Sequence, residues 1–187
     1  HIIPSENKIV GYSTDNNGGV PENFKNYFVI VFDKPFTYKS SFNGKELNEG
    51  VLSQAADHVG AVIGFKTAKG EKVHARIASS FISLEQAELN LKELGNDNLE
   101  TLAQKGRLVW NEMLGRIEVE GGSLDQYRMF YSCLYRSLLF PRKFYEIDAA
   151  GKVMHYSPTT GEVLPGYYYT DTGVWDTFRC LFPLLNL

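Results

Sequence analysis

Short β-branched and aromatic runs, separated by turn residues, fill the first third of the chain; apolar residues then recur at helical spacing. Residues 27–32, Tyr-Phe-Val-Ile-Val-Phe, read as a strand closed by Asp33-Lys34-Pro35. Residues 36–42 read as a second strand, turned by Asn43-Gly44. Residues 59–67 and 73–80 read as a hairpin around Ala68-Lys69-Gly70-Glu71, and Asp15-Asn16-Asn17-Gly18-Gly19 as a loop. Strands this short, punctuated this often, predict an antiparallel sandwich or the end of one.

The period changes at Ser83-Leu84-Glu85-Gln86, a capping-box sequence in which the serine hydroxyl takes a free backbone amide and Gln86 reaches back. Leu84, Ala87, Leu91 and Leu94 follow on one helical face, and Gly95 stops the run. A second helix is predicted over residues 99–114, ending at Gly115, with a short strand over 116–120. A second capping box, Ser123-Leu124-Asp125-Gln126, opens a helix carrying Tyr127, Phe130, Tyr131, Leu134, Leu138 and Leu139 on one broad face, ended by Pro141. Residues 142–165 form an excursion that can hold a hairpin, 143–147 against 152–156, turned by Asp148-Ala149-Ala150-Gly151. A final helix begins near Asp176, with Phe178, Leu181, Phe182 and Leu185 inward, in an apolar segment over 180–187. Pro183 cannot donate to the Arg179 carbonyl, so that helix should kink or end there.

With 43% hydrophobic and 22% charged residues in 187, the composition is that of an ordinary globular chain. The net charge of −3, with scattered Lys and Arg, argues against a nucleic-acid partner, which needs a basic face. An aromatic content of 13% suits a sugar-facing or interface-forming protein. No apolar run approaches the roughly 20 residues that span a bilayer. The chain starts at His1 with no basic-then-apolar signal segment, which reads as a processed or excised piece. Cys133 and Cys180 sit among apolar residues and read as buried free thiols, with a disulfide open to an exported protein.

The densest chemistry lies in residues 167–179, Tyr-Tyr-Tyr-Thr-Asp-Thr-Gly-Val-Trp-Asp-Thr-Phe-Arg. A Trp175 face can stack on the C–H side of a pyranose, and the adjacent Asp176 carboxylate can accept from two vicinal hydroxyls. Arg179, three residues on, is placed to hold that carboxylate charged and oriented. The plainer alternative makes Asp176 a first-turn helix residue and Trp175 a core residue. Asp171-Thr172-Gly173 matches the catalytic tripeptide of aspartic proteases, but no second copy and no preceding apolar strand accompany it. His1, His58, His74 and His155 show no ligand spacing for zinc. Glu146 and Asp148 read as a hairpin tip, Arg142 as an ion-pair partner or hydroxyl donor, and Glu118 and Glu120 as solvent-facing. Gly121-Gly122 lacks the spacing and Lys of a phosphate loop.

Four segments in order resemble glycoside hydrolase family 92, the calcium-dependent exo-α-mannosidases. They are Tyr27-Phe28 through Lys34-Pro35-Phe36; Ile82-Ser83-Leu84-Glu85-Gln86-Ala87; Leu114 through Gly122; and Leu138-Leu139-Phe140-Pro141-Arg142 leading to Trp175-Asp176-Thr177-Phe178-Arg179. The resemblance implies an α+β chain: residues 1–82 as the end of an antiparallel β-sandwich, 83–120 as a helical linker, and 121–187 as the opening helices of an (α/α)6 toroid. It implies removal of terminal α-mannose, α-1,2-linked, with inversion, by a bacterial enzyme that is periplasmic, secreted or at the cell surface and acts in N-glycan degradation. Trp175 and Asp176 carry over as part of the terminal-mannose subsite, with Arg179 in support. The acid, the base and the calcium ligands are expected outside this chain, which has no metal ligands of its own by this reading. The chain is thus expected to be a fragment, inactive alone, partnered by the remainder of the enzyme or by self-association through apolar helix faces. The alternative is a non-catalytic carbohydrate-binding or scaffold module.

Overall fold

The computed structural model describes residues 1–186; Leu187, which closes the apolar segment, lies outside the described residues. The strands in the first part are β1 (Ile2–Ile3), β2 (Lys8–Ser13), β3 (Asn26–Phe32), β4 (Tyr38–Asn43), β5 (Glu46–Glu49), β6 (Val59–Gly64) and β7 (Ala75–Ser80). The helices α1 (Leu84–Leu91), α2 (Leu99–Leu114) and α3 (Leu124–Ser137) follow. Five short strands come next: β8 (Arg142–Lys143), β9 (Glu146–Ile147), β10 (Val153–Tyr156), β11 (Val163–Pro165) and β12 (Tyr169–Thr170). Two short helices, α4 (Val174–Thr177) and α5 (Leu181–Leu184), close the described chain. The fold class is α+β, and no helix is long and apolar enough to cross a membrane among the described residues.

The chain divides into two compact units, and the first is discontinuous, His1–Glu93 with Glu146–Gly166. Its N-terminal stretch forms two antiparallel sheets, in the orders β1-β2-β3-β7 and β5-β4-β6. The 59–80 hairpin read from the sequence is not formed: β6 pairs with β4 and β7 with β3. The turn at 68–71 exists, closed by Glu71 N–H to the Ala68 carbonyl at 3.1 Å, but its arms enter different sheets. Local turn chemistry specifies a reversal, not the partner of each arm. Gly44, with φ 59, supplies the left-handed position that the tight β4–β5 turn needs.

Strand β3 explains the core. Tyr27, Val29 and Val31 alternate onto one face, where α1 lies across β2, β3 and β7 with Ala87, Leu84 and Leu91 against them. Val29 and Ala87 are both 0% exposed. Ser83 caps α1, accepting from the Gln86 N–H at 3.1 Å. The capping box is only half made, however, because the Gln86 amide is drawn away to the Ile147 carbonyl at 2.7 Å and to Asn90 Oδ1 at 2.8 Å. Asn90 in turn donates to the Ser79 carbonyl at 2.9 Å and to Glu146 Oε2 at 2.7 Å, and Glu146 Oε1 accepts from Phe81 N–H at 2.9 Å. Glu146 is therefore a staple for the returning segment and not an exposed hairpin tip. That segment is the three-stranded sheet β11-β10-β9, seated also by Asn23, which accepts from Tyr156 Oη at 3.1 Å and donates to the Gly161 carbonyl at 2.8 Å.

The second unit comprises Leu94–Tyr145 and the stretch from Tyr167 onward. Helix α2 runs over the predicted residues, capped by Asn98 and ended at Gly115. The full capping box of α3 is made, Ser123 and Gln126 bonding reciprocally at 3.4 and 2.7 Å. Trp110 and Tyr135 rings meet at 4.4 Å, and Tyr131 Oη donates to the Ile117 carbonyl at 3.1 Å. Residues 116–120 form no strand, since they pair with no neighbouring strand. Helix α3 ends at Ser137, before Pro141, and Leu139 is exposed instead of sharing the buried face. Both cysteines are free and exposed, contrary to the buried reading; Cys133 lies on α3 beside the buried Leu134, and Cys180 lies in the break between α4 and α5.

Candidate functional site

The stretch 167–179 enters on β12, which pairs antiparallel with β8, Tyr169 opposite Lys143 and Thr170 opposite Arg142. Alternation along an extended chain sends Tyr167 and Tyr169 to one side and Tyr168 to the other. Tyr145 meets the first two edge-on, at 4.9 and 5.8 Å between ring centroids, while Phe144 meets Tyr168 at 5.8 Å. Tyr167 and Tyr169 stay 66% and 52% exposed. The excursion hairpin of the sequence is thus shared: Glu146–Ile147 pairs with Val153–Tyr156 as expected, but Arg142–Lys143 turns to β12.

Asp171 follows with φ 69, a left-handed conformation rare for a residue with a Cβ. Its Oδ2 accepts from Arg142 Nε, and that bond, with the attendant charge, raises the Arg142 pKa further above its ordinary value. Arg142 also lies 5.9 Å from the centre of the Phe140 ring. Asp171 is engaged by a guanidinium in an αL turn and the chain carries no second copy of the tripeptide, so the protease resemblance of Asp171-Thr172-Gly173 is confined to its letters.

Gly173 caps α4, and Thr177 Oγ1 donates back to its carbonyl at 2.5 Å. Trp175 on this short helix is 87% exposed, which removes it from any core within this structure. Asp176 stands beside it with no hydrogen-bond or ion-pair partner among the described residues. Arg179 is not brought to Asp176; its guanidinium lies 5.2 Å from the Phe178 ring centre. The reason lies in the backbone: α4 stops at Thr177 and α5 starts at Leu181, so the continuous turn that would align the two is broken. The break falls just ahead of Pro183, whose missing N–H leaves the Arg179 carbonyl without a helical partner. Leu184 and Leu185 then close an apolar cavity of about 70 Å³ with Met113, Ile117, Leu134 and Leu138, which seats α5 against α2 and α3.

Calcium requires six to eight oxygen ligands. Among the described residues no group of three or more His, Cys, Asp or Glu side chains is placed to hold a metal ion. The sequence names Arg142 as an ion-pair partner but not Asp171 as its mate, since the two lie 29 residues apart and leave no local spacing signal.

Residues 1–80 match the family model described as "Glycosyl hydrolase family 92 N-terminal domain", and residues 86–187 that described as "Glycosyl hydrolase family 92 catalytic domain". The chain belongs to glycoside hydrolase family 92. Among solved structures it is similar to a family GH92 inverting mannosidase from Bacteroides thetaiotaomicron VPI-5482, at 47% identity and TM-score 0.95 over 100% of this chain and 25% of that one. A family GH92 α-mannosidase from Bacteroides thetaiotaomicron, solved with mannoimidazole, shares 26% identity at TM-score 0.80 over 97% of this chain and 24% of that one. The chain thus spans about a quarter of the length of these relatives. No curated protein matches significantly.

Proposed function

We propose that this chain is the part of a bacterial inverting α-mannosidase that spans the end of the β-sandwich (1–82), a helical linker (83–120) and the opening of the catalytic toroid (121–187). Its own contribution is the terminal-mannose grip, Trp175 stacking on the sugar and Asp176 accepting from two hydroxyls. The observation that carries this is an 87% exposed tryptophan beside an unpartnered carboxylate, an arrangement a core-and-cap role would not leave open. Arg179 supports Asp176 in this reading, which requires its side chain to turn from Phe178 toward the carboxylate. Inversion needs one carboxylic acid at the leaving oxygen and a separate base for water on the opposite face. Both roles, and a calcium ion that would polarise the sugar hydroxyls, belong in this proposal to residues outside the chain.

The substrate class is an α-1,2-linked terminal mannose on an N-glycan, met in the periplasm, at the cell surface or outside the cell. Family membership and the similarity to the inverting mannosidase support the mannoside; the linkage, the glycan and the compartment are part of the proposal. In the full-length enzyme, Asp176→Ala should lower kcat/KM for an α-mannoside by about 10²–10³-fold, the scale of a lost charge-assisted pair of hydrogen bonds. Unchanged kinetics would remove Asp176 from the site. Calorimetric titration of the isolated chain with mannose tests the non-catalytic alternative, which demands measurable binding without the rest of the enzyme.

A further inference from the structure

Asp171 is separated from Trp175 only by Thr172, Gly173 and Val174. A rotation at its backbone would swing Trp175 and Asp176 together. The left-handed φ of 69 at a residue with a Cβ persists where surroundings over-determine it, and two contacts do so here. The Arg142 guanidinium holds the Asp171 carboxylate. The backbone of Arg142 is itself fixed opposite Thr170 in the β8–β12 ladder. On the far side, Thr177 Oγ1 ties α4 to the Gly173 carbonyl at 2.5 Å.

We propose that Arg142 is a positioning residue: through the carboxylate of Asp171 it holds the left-handed turn that aims Trp175 and Asp176 at the terminal sugar. This rests on the reading of Trp175 and Asp176 as the sugar grip. The Arg142 side chain is 65% and that of Asp171 33% exposed, and pairs of that kind add little to stability. The effect of breaking the pair therefore belongs in kinetics and not in melting.

The test uses the full-length enzyme with Arg142→Gln, Asp171→Gly, Asp176→Ala and the double variant Arg142→Gln/Asp176→Ala. Glycine at 171 accepts the same backbone conformation but removes the anchor, so it separates the ion pair from the turn itself. Arg142→Gln and Asp171→Gly should each lower kcat/KM by about 10- to 100-fold, the cost of a small misplacement of a binding group. Melting temperatures should stay within about 2 °C of the parent. In the double variant the loss should fall short of the product of the two single losses, because the part of the Arg142 effect that runs through Asp176 is already gone while the part that runs through Trp175 remains. Multiplied losses in the double variant, wild-type rates for Asp171→Gly, or a collapse in melting for both single variants would each overturn the proposal. Wild-type rates for Asp176→Ala would instead overturn the sugar-grip reading and this proposal with it; crippled Asp176→Ala beside unaffected Arg142→Gln would sink this one alone.

Discussion

Val29 is 0% exposed and Trp175 is 87% exposed. The contrast between their regions extends to polar groups. Around β3 and α1, the amides of Gln86 and Asn90 and the carboxylate of Glu146 all meet partners within the same unit. Around α4, Asp176 meets none among the described residues, and Tyr167, Tyr169, Val174 and Phe178 are exposed with Trp175. The first region satisfies itself, so its residues report on folding. The second leaves apolar and acidic groups open, as does a surface that meets a ligand or the remainder of the enzyme.

That distinction can be broken or sharpened by substitution. Trp175→Ala should give the widest gap between the two readouts, lowering kcat/KM of the full-length enzyme about 10- to 100-fold while changing stability by under about 0.5 kcal/mol. Equal losses in both, measured by steady-state kinetics and urea unfolding, would make Trp175 a folding residue. Val29→Ala should do the reverse, costing about 2 kcal/mol of unfolding free energy through lost burial and a residual cavity. Glu146→Ala leaves the Phe81 N–H and the Asn90 amide short of an acceptor and should cost about 1–2 kcal/mol, read the same way.

The smallest effect is a pH dependence confined to the first region. Hydrogen bonding from the His74 backbone N–H, then from its ring, holds the Asp33 carboxyl below its ordinary value of 3.8. A depressed carboxyl stabilises the fold above its unfolded value and loses that contribution as pH falls through the folded one. The stability difference between the parent chain and Asp33→Asn should thus be present near neutrality and shrink below about pH 4. A difference that grew on acidification would reverse the assignment.

Much of the fold was legible because it is local. The spacing of Leu84, Ala87 and Leu91, the caps at Ser83 and Ser123, and the breaks at Gly95 and Gly115 all act within a few residues, and the helices formed there. Pro183 was legible in the same way, though the break it imposes falls upstream, between Thr177 and Leu181. Strand partners were not legible. The 68–71 turn reverses the chain, yet its arms join different sheets, because pairing is chosen by whole faces seeking burial. Gln86 was read by its local capping role and used instead by Ile147, 61 residues away.

By itself, the sequence determined the α+β order, the starts of α1, α2 and α3 and the one stretch, 167–179, where aromatics and carboxylates crowd together. All of these follow from backbone sterics and side-chain periodicity over a few residues. Only the tertiary structure decided which members of that stretch are offered and which are used to hold it. Arg142, arriving on β8, takes Asp171 and leaves Asp176 open, while the broken helix carries Arg179 to Phe178. A carboxylate becomes structural or available according to which cation the fold delivers within hydrogen-bond reach, and that delivery depends on the β8–β12 pairing, which brings together two side chains 29 residues apart.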